Sequence, residues 1–248
     1  MILEVRDVSR SFGGLKAVAK VSFALAEGSI TALIGPNGAG KTTLFALISG
    51  FLRPDAGMIL FDGRNITGEE PHRISALGVA RTFQIVQPFA RLTVRENIAI
   101  GAHLRISGRQ EALARAAEIA ERVGLGGRLD QPAGTLTVAA RKRLELARAL
   151  ATGPRLLLLD EVMGGLNPRE VEEIVPIIRG IRDGGVTILL IEHVMQAVMT
   201  LAQHSFVLND GLLIAEGPPA AVIADPRVVE AYLGTGAAQR FGRETARA

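Results

Sequence analysis

The sequence contains no cysteine and no tryptophan, a single tyrosine, and only 4% aromatic residues. The absence of cysteine excludes disulfide bonds, thiolate metal sites and catalysis by a cysteine nucleophile. Apolar runs are short, and none approaches the roughly 20 residues that cross a bilayer as a helix. The first residues, from Met1 to Asp7, alternate apolar and charged side chains and lack the apolar core of a signal peptide. If the protein works at a membrane, we therefore expect other subunits to span it.

The charge balance is ordinary. The formal net charge is +3 over 248 residues, of which 21% are charged and 48% are hydrophobic. Such a composition predicts a globular chain with enough apolar residues to form a core. Basic clusters such as residues 141–143 are short, and a solvated helix face explains them more often than nucleic acid does. We therefore expect no nucleic-acid partner.

Hydrophobic periodicity and turn signals predict alternating strands and helices. Alternating residues at 2–8 and 18–25 predict two strands with a turn at Phe12-Gly13-Gly14 between them. Further strands are predicted at 29–34, 57–61, 79–83, 155–160 and 186–191, and a hairpin at 206–215 around Asn209-Asp210-Gly211. Helices are predicted at 42–48, 168–182 and 193–202. The pattern is typical of an α/β core.

The segment from 88 to 150 has a different character. Residues 110–123 are rich in strong helix formers, the glycines at 124, 126 and 127 end that helix, and a second helix is predicted at about 138–151. We interpret this segment as a helical lobe inserted into the α/β core. The residues from 234 onward are small and polar, and they predict a flexible tail.

A glycine-rich motif follows the predicted strand at 29–34 and opens the next helix. It consists of Gly35, Pro36, Asn37, Gly38, Ala39, Gly40, Lys41 and Thr42, with Thr43 next to it. The glycines let backbone N–H groups approach phosphate oxygens, Lys41 can reach the β- and γ-phosphates, and the Thr42 hydroxyl can bind Mg²⁺. A glycine turn with an exposed lysine is the alternative, but the strand–helix context favours a phosphate loop for ATP.

An acidic pair, Asp160-Glu161, ends the apolar strand at 155–160. Asp160 can hold Mg²⁺ directly or through water, and Glu161 can act as the general base that polarises an attacking water. Such a pair also occurs as a plain strand end. Together with a phosphate loop it indicates ATP hydrolysis.

Two further polar residues lie next to predicted strands. His193 follows the strand at 186–191, on the edge where open α/β sheets bind ligands, and it can contact the γ-phosphate and the attacking water. Gln84 follows Arg81-Thr82-Phe83 and can bind Mg²⁺ and the water. A lone histidine is usually structural, and Gln84 alone indicates no function, so both assignments depend on the other motifs.

The order of these motifs resembles the ATPase subunits of ABC transporters over residues 1–233. Several phrases resemble a narrower group, the subunits of branched-chain amino-acid importers, with amide and urea importers close by. These phrases are Phe12-Gly-Gly-Leu-Lys-Ala-Val, Arg81-Thr-Phe-Gln, Leu92-Thr-Val-Arg-Glu-Asn, Gly165-Leu-Asn-Pro, Ile191-Glu-His and Ala231-Tyr-Leu-Gly.

The resemblance implies a P-loop NTPase (RecA-like) core with an N-terminal antiparallel β subdomain and an inserted helical subdomain. It places the core at residues 1–87 and 151–233 and the helical subdomain at 88–150. It implies two ATPase subunits packed head to tail, with each ATP held between one phosphate loop and the other subunit's signature loop. Two transmembrane permease subunits and a substrate-binding protein complete the expected importer, at the cytoplasmic face of the cell membrane.

Two surfaces receive roles from this resemblance alone. Phe12 matches the aromatic residue that stacks on adenine, although a phenylalanine in a turn or core is the alternative. The segment at 85–97 matches the surface that receives a permease helix. Its apolar residues Val86, Phe89 and Leu92 can also belong to the core.

The sequence departs from the family in two places. The signature loop usually reads Leu-Ser-Gly-Gly-Gln, and here Leu136 is followed by Thr137, Val138, Ala139 and Ala140. Thr137 keeps a hydroxyl, but a Cβ near the phosphate, or a position that needs positive φ, would weaken the half-site that serves the partner's ATP. This predicts an asymmetric pair, most simply a heterodimer.

The second departure is Val162, where the family usually has proline after the glutamate. Since proline restricts the residue before it, its loss is expected to loosen the aim of Glu161.

Two other functions remain alternatives at this stage. The first is a soluble ABC-type ATPase acting on DNA or the ribosome, although such proteins usually carry coiled-coil insertions or tandem cassettes. The second is a largely non-hydrolysing regulatory subunit, which the altered signature loop suggests and which Glu161 and His193 oppose.

Overall fold

The computed structural model describes residues 1–85 and 87–233. Val86 and the tail predicted from residue 234 lie outside the described residues. The chain divides into two compact units. The first comprises Met1–Glu69 with the described residues from Ala202 onward, and the second comprises Glu70–Leu201. The domain boundaries predicted from the sequence stay a prediction.

Ten strands and nine α-helices are found within the described residues. In chain order they are β1 (Leu3–Phe12), β2 (Leu15–Leu25), β3 (Ile30–Ile34), α1 (Lys41–Ile48), β4 (Ala56–Phe61), β5 (Arg64–Asn65), α2 (Pro71–Leu77), β6 (Val79–Arg81), α3 (Val94–Ala102), α4 (Arg109–Arg122), α5 (Val138–Ala151), β7 (Leu156–Asp160), α6 (Pro168–Asp183), β8 (Thr187–Ile191), α7 (Met195–Leu201), β9 (His204–Asn209), β10 (Leu212–Gly217), α8 (Pro219–Ile223) and α9 (Pro226–Leu233). Short 3₁₀ turns lie at Gly126–Arg128 and Ala133–Thr135.

The first unit contains an antiparallel sheet with the strand order β2-β1-β4-β5. It also contains β3, which pairs in parallel with β9, while β9 pairs antiparallel with β10. All five residues of β3 are buried, as the continuous apolar run predicts. The antiparallel β subdomain that the family resemblance implied is therefore present.

The second unit contains three parallel strands in the order β8-β7-β6. Every residue of β7 and β8 is buried. Because the strands are parallel, their carboxyl ends lie at one edge of the sheet, and polar residues that follow each strand are brought to that edge. This edge carries the candidate catalytic groups of the unit.

The helices of the second unit begin where the sequence supplies caps. Thr93 and Glu96 form a reciprocal capping box at the start of α3, and Asn167 and Glu170 form another at the start of α6. Thr137 caps α5, because its hydroxyl accepts a hydrogen bond from the Ala140 N–H in the first turn. Among the described residues, no helix combines the length and the hydropathy needed to cross a bilayer.

Most predicted elements are confirmed with bounds that differ by one to three residues. The turn at Phe12 is the main correction at the N-terminus, because Phe12 is the last residue of β1 and pairs with Leu15. Gly13, with φ of +57°, and Gly14 alone form the turn. The sequence analysis also missed α2, α3, α8 and α9, which are five to nine residues long and therefore shorter than the window over which a helical period can be recognised.

A glycine in α3 lies where α3 packs closely against α5, and a glycine in α6 with open space around it provides a control. A Cβ at Gly101 of α3 would lie 2.4 Å from the carbonyl oxygen of Arg148, whereas a Cβ at Gly180 of α6 would meet no atom within 4 Å. We expect Gly101→Ala to lower the free energy of unfolding by about 2 kcal/mol or more. Gly180→Ala, the matched control, should raise it by up to about 1 kcal/mol through helix propensity. Denaturant titration checks both, and equal effects of the two changes would contradict the packing described.

Candidate functional site

The phosphate loop lies in the first unit, between β3 and α1, and its glycines are required by close contacts. Gly35, Gly38 and Gly40 have φ of +149°, +82° and +102°. A Cβ at Gly35 would lie 2.0 Å from the carbonyl oxygen of Leu208, and one at Gly40 would lie 2.1 Å from that of Ala17. The loop is therefore held against β9 and β2, and only glycine fits at these two positions.

The polar groups of the loop suit a polyphosphate. The ammonium group of Lys41 donates to the carbonyl oxygens of Gly35 at 2.7 Å and Pro36 at 2.9 Å, so the backbone curves around it. Helix α1 begins at Lys41, and the free N–H groups of a helix N-terminus attract anions. Thr42 is exposed next to it. The remaining members are exposed at Asn37 and Gly38, partly exposed at Pro36 and Thr43, and buried at Ala39.

Phe12 lies at the end of β1 with its side chain partly open to solvent. The guanidinium carbon of Arg10 stands 5.0 Å from the ring centroid, an arrangement typical of a cation–π contact. Asp55 accepts a hydrogen bond from Arg10 at 2.7 Å and another from the Ser11 N–H at 2.7 Å, and so it holds the guanidinium in place. Phe12 as a whole is 43% exposed. Stacking of Phe12 on adenine stays a prediction.

Asp160 is the last residue of β7 in the second unit and is buried. Its carboxylate forms an ion pair with Arg81 at 2.8 Å. Its backbone N–H donates to the hydroxyl of Thr82 at 3.1 Å. Arg81 ends β6 and Thr82 follows it. The neighbouring strand therefore holds the carboxylate in one orientation, which suits a group that is to bind a metal ion.

Glu161 follows Asp160 and is contacted by two of the predicted site residues. One carboxylate oxygen accepts a hydrogen bond from the side-chain amide of Gln84 at 2.6 Å, and the other lies 2.5 Å from Nε2 of His193. The structure thus brings Gln84, Glu161 and His193 together at the ends of β6, β7 and β8. Since the amide nitrogen of Gln84 faces Glu161, its amide oxygen is left as a ligand of the type that Mg²⁺ binds.

The backbone of Glu161 has φ of +49°, in the left-handed region that is uncommon for residues other than glycine. Its N–H donates to the carbonyl oxygen of Ile191 at 2.9 Å, and its own carbonyl oxygen accepts from the Lys142 ammonium at 2.8 Å. A following proline would confine this residue to the extended region. Val162, which is buried, is compatible with the observed backbone. Whether it loosens the aim of Glu161 stays a prediction.

Glu192 is a second carboxylate at this edge, and the sequence analysis did not single it out. It is 1% exposed and accepts the backbone N–H of Met163 at 2.9 Å. Burial raises the pKa of Glu192 to about 7; the N–H groups of Met163 and His193 and the charge of Lys142 oppose this rise but do not cancel it. The available signal was the same as at Asp160, a carboxylate at the end of an apolar strand.

The altered signature segment forms the start of α5. Thr137 is its N-cap, and its hydroxyl accepts the N–H of Ala140 at 3.3 Å. Val138 is 61% exposed, whereas Ala140 is 6% exposed. None of the residues at 137–140 belongs to the non-glycine residues with positive φ in the described part of the chain. A position that needs positive φ is therefore excluded as a cause of a weakened half-site. The other expected cause, a Cβ near the phosphate of the partner's ATP, remains.

The α/β units and the glycine loop define a P-loop NTPase. The sequence model of the ABC transporter family matches residues 18–164, and a model of branched-chain amino acid ATP-binding cassette transporters matches residues 213–238. The branched-chain amino acid transport ATP-binding protein BraF of Pseudomonas aeruginosa is 40% identical over 94% of this chain and 98% of its own. LivG of Salmonella typhimurium, described in the same terms, matches with the same identity and coverage.

Solved structures agree with this assignment. A nucleotide-free ATP-binding cassette from an ABC transporter superposes with a TM-score of 0.86 and 34% identity, over 94% of this chain and 99% of that one. The chain belongs to the ABC transporter family, as an ATP-binding subunit that hydrolyses ATP.

The raised pKa of Glu192 makes the stability of the fold depend on pH. Because the folded state holds this proton up to about pH 7 and the unfolded chain releases it near 4.5, stability is lost as pH rises across that window. The loss should reach about 3 kcal/mol. We expect Glu192→Gln to remove it, so that the variant gains stability relative to the wild type between pH 4.5 and 8.

Denaturant titration of the two proteins across that range checks this expectation. Glu172→Gln, which changes an exposed carboxyl on α6, is the control. A difference between Glu192→Gln and the wild type that stays constant with pH would contradict the assignment.

Proposed function

We propose that this chain is the ATPase subunit of an importer for branched-chain amino acids. The observation that carries the proposal is the match of residues 213–238 to a branched-chain amino acid transporter model, combined with 40% identity along nearly the whole chain to relatives with that role. A soluble ATPase of DNA or ribosome processes finds no comparable support. The chain then works at the cytoplasmic face of the cell membrane through its permease subunits.

ATP is the nucleotide, and Mg²⁺ is proposed as its metal ion. Each proposed donor is a hard oxygen ligand of the type that Mg²⁺ prefers: the hydroxyl of Thr42, which is exposed, in the first unit, and the Asp160 carboxylate and the Gln84 amide oxygen in the second. When bound, Mg²⁺ neutralises charge on the phosphate oxygens. Lys41 and the loop N–H groups bind the phosphates.

Glu161 is proposed as the general base and His193 as its orienting partner. The carboxylate is fixed from two sides, by Gln84 and by His193, which limits its rotation. A carboxylate held in this way has a fixed orientation from which it can accept a proton from the attacking water. His193, which is exposed beside it, can contact the γ-phosphate and the same water.

The assembly follows from the same proposal. Two ATPase subunits pack head to tail, and residues 137–140 of this chain serve the ATP of the other subunit. Ala139 and Ala140 place methyl groups where the family has a glycine and an amide, so we propose a heterodimer with a different ATPase subunit. Two permease subunits and a substrate-binding protein complete the importer, and closure of the ATPase pair on ATP drives the permeases.

Replacing the proposed base tests the chemistry. Glu161→Gln keeps the size and the hydrogen-bonding positions but cannot take a proton, so kcat should fall at least about 100-fold while ATP still binds. The measurement is steady-state ATP hydrolysis by the assembled complex, with the corresponding glutamate of any second ATPase subunit also replaced. Glu172→Gln is the control on an exposed carboxylate. Turnover that persists in Glu161→Gln would remove Glu161 as the base.

A transport assay tests the substrate. In cells that lack the native gene, the wild-type chain should restore uptake of radiolabelled leucine, isoleucine and valine, and Glu161→Gln should not, because transport requires hydrolysis. If deletion leaves uptake of all three unchanged but stops uptake of an amide or urea, the substrate assignment is wrong and the ATPase assignment stands.

A further inference from the structure

Three consecutive residues at the end of β8 each contact the turn that carries Glu161. The carbonyl oxygen of Ile191 accepts the Glu161 N–H at 2.9 Å. The carboxylate of Glu192 accepts the Met163 N–H at 2.9 Å, and Nε2 of His193 contacts the carboxylate of Glu161. We call this set of contacts the β7–β8 clasp. Ile191 makes a backbone-to-backbone contact, Glu192 makes a side-chain-to-backbone contact, and His193 makes a side-chain-to-side-chain contact.

The contact made by Glu192 requires a buried carboxylate, which costs folding free energy. Glu192 is 1% exposed, and among the described residues its second carboxylate oxygen, Oε2, has no hydrogen-bond partner. Burying a carboxylate in this way costs stability, and what the side chain supplies in return is an acceptor for the buried Met163 N–H. Apolar packing therefore does not account for a glutamate at this position, whereas a contact that holds the backbone of the neighbouring turn does.

The turn that Glu192 contacts begins with a strained residue, and it is closed by a hydrogen bond from the Gly164 N–H to the Glu161 carbonyl oxygen at 3.1 Å. Glu161 adopts a left-handed backbone, which persists only when surrounding contacts hold it. Met163 is buried, so its N–H needs an acceptor, and the Glu192 carboxylate is that acceptor. Lys142 holds the Glu161 carbonyl from the side of α5.

We propose that Glu192 is a positioning residue for ATP hydrolysis: by accepting the Met163 N–H, it fixes the turn at 161–163 against the end of β8 and so holds Glu161 in register with His193. The proposal rests on the role of Glu161 as the general base. Glu192 itself touches neither nucleotide nor water in this scheme. Its effect on the reaction passes through the orientation of Glu161.

Two substitutions separate this role from packing. Glu192→Met fills the buried space without an acceptor, and it should lower kcat about tenfold while KM for ATP changes less than about twofold, since the lost contact acts on the base and not on nucleotide binding. Glu192→Gln restores an acceptor for the Met163 N–H, and it should recover kcat to within about twofold of the wild type. Both are measured on the assembled complex, with the second ATPase subunit inactivated as above.

The same substitutions in the Glu161→Gln background give the decisive readout. If Glu192 acts through Glu161, adding Glu192→Met to Glu161→Gln should not lower the residual turnover further. Three results would each overturn the proposal: wild-type kcat in Glu192→Met, an equal loss of kcat in Glu192→Met and Glu192→Gln, or an additive loss of turnover in the double variant. Failure of the base assignment is distinct, because Glu161→Gln alone would then keep its turnover.

Discussion

The parallel pairing of β6, β7 and β8 is the constraint on which the catalytic edge depends. Parallel strands end on the same side, so residues that are far apart in the sequence arrive next to one another once each strand stops. Gln84, Glu161 and His193 meet because each follows the end of its own strand. The residues within these strands are mostly apolar, and the charged residues Arg81 and Asp160 end β6 and β7 at this edge.

The edge combines groups that are individually unfavourable. It contains a left-handed backbone at Glu161 and a buried carboxylate at Glu192, and the hydrogen bonds of the β7–β8 clasp and of Lys142 hold both in place. Strain and buried charge of this kind are common at functional sites, where geometry is retained at the expense of stability. The sequence obeys local rules elsewhere in the unit, including the capping boxes of α3 and α6.

Sequence reasoning predicted what depends on local pattern. The phosphate loop, the buried strands and the acidic pair at Asp160 were found because glycine spacing and apolar runs report them directly, and the bounds of α5 were predicted within a residue. It did not single out Glu192, although a carboxylate follows an apolar strand there as it does at Asp160, because a lone carboxylate can be a plain strand end and its partner, the Met163 N–H, is set by tertiary packing. It could not find the pairing of Lys142 with the Glu161 carbonyl, which joins residues 19 positions apart through tertiary packing.

The stacking of Arg10 on Phe12 bears on which nucleotides the chain accepts. The guanidinium covers one face of the ring, so a base can lie only against the opposite face. Contact with a π-face distinguishes weakly between bases, since every base presents one. If Phe12 holds the base, purine triphosphates other than ATP should also be hydrolysed. The use of ATP then reflects its abundance in the cell more than selection by this protein.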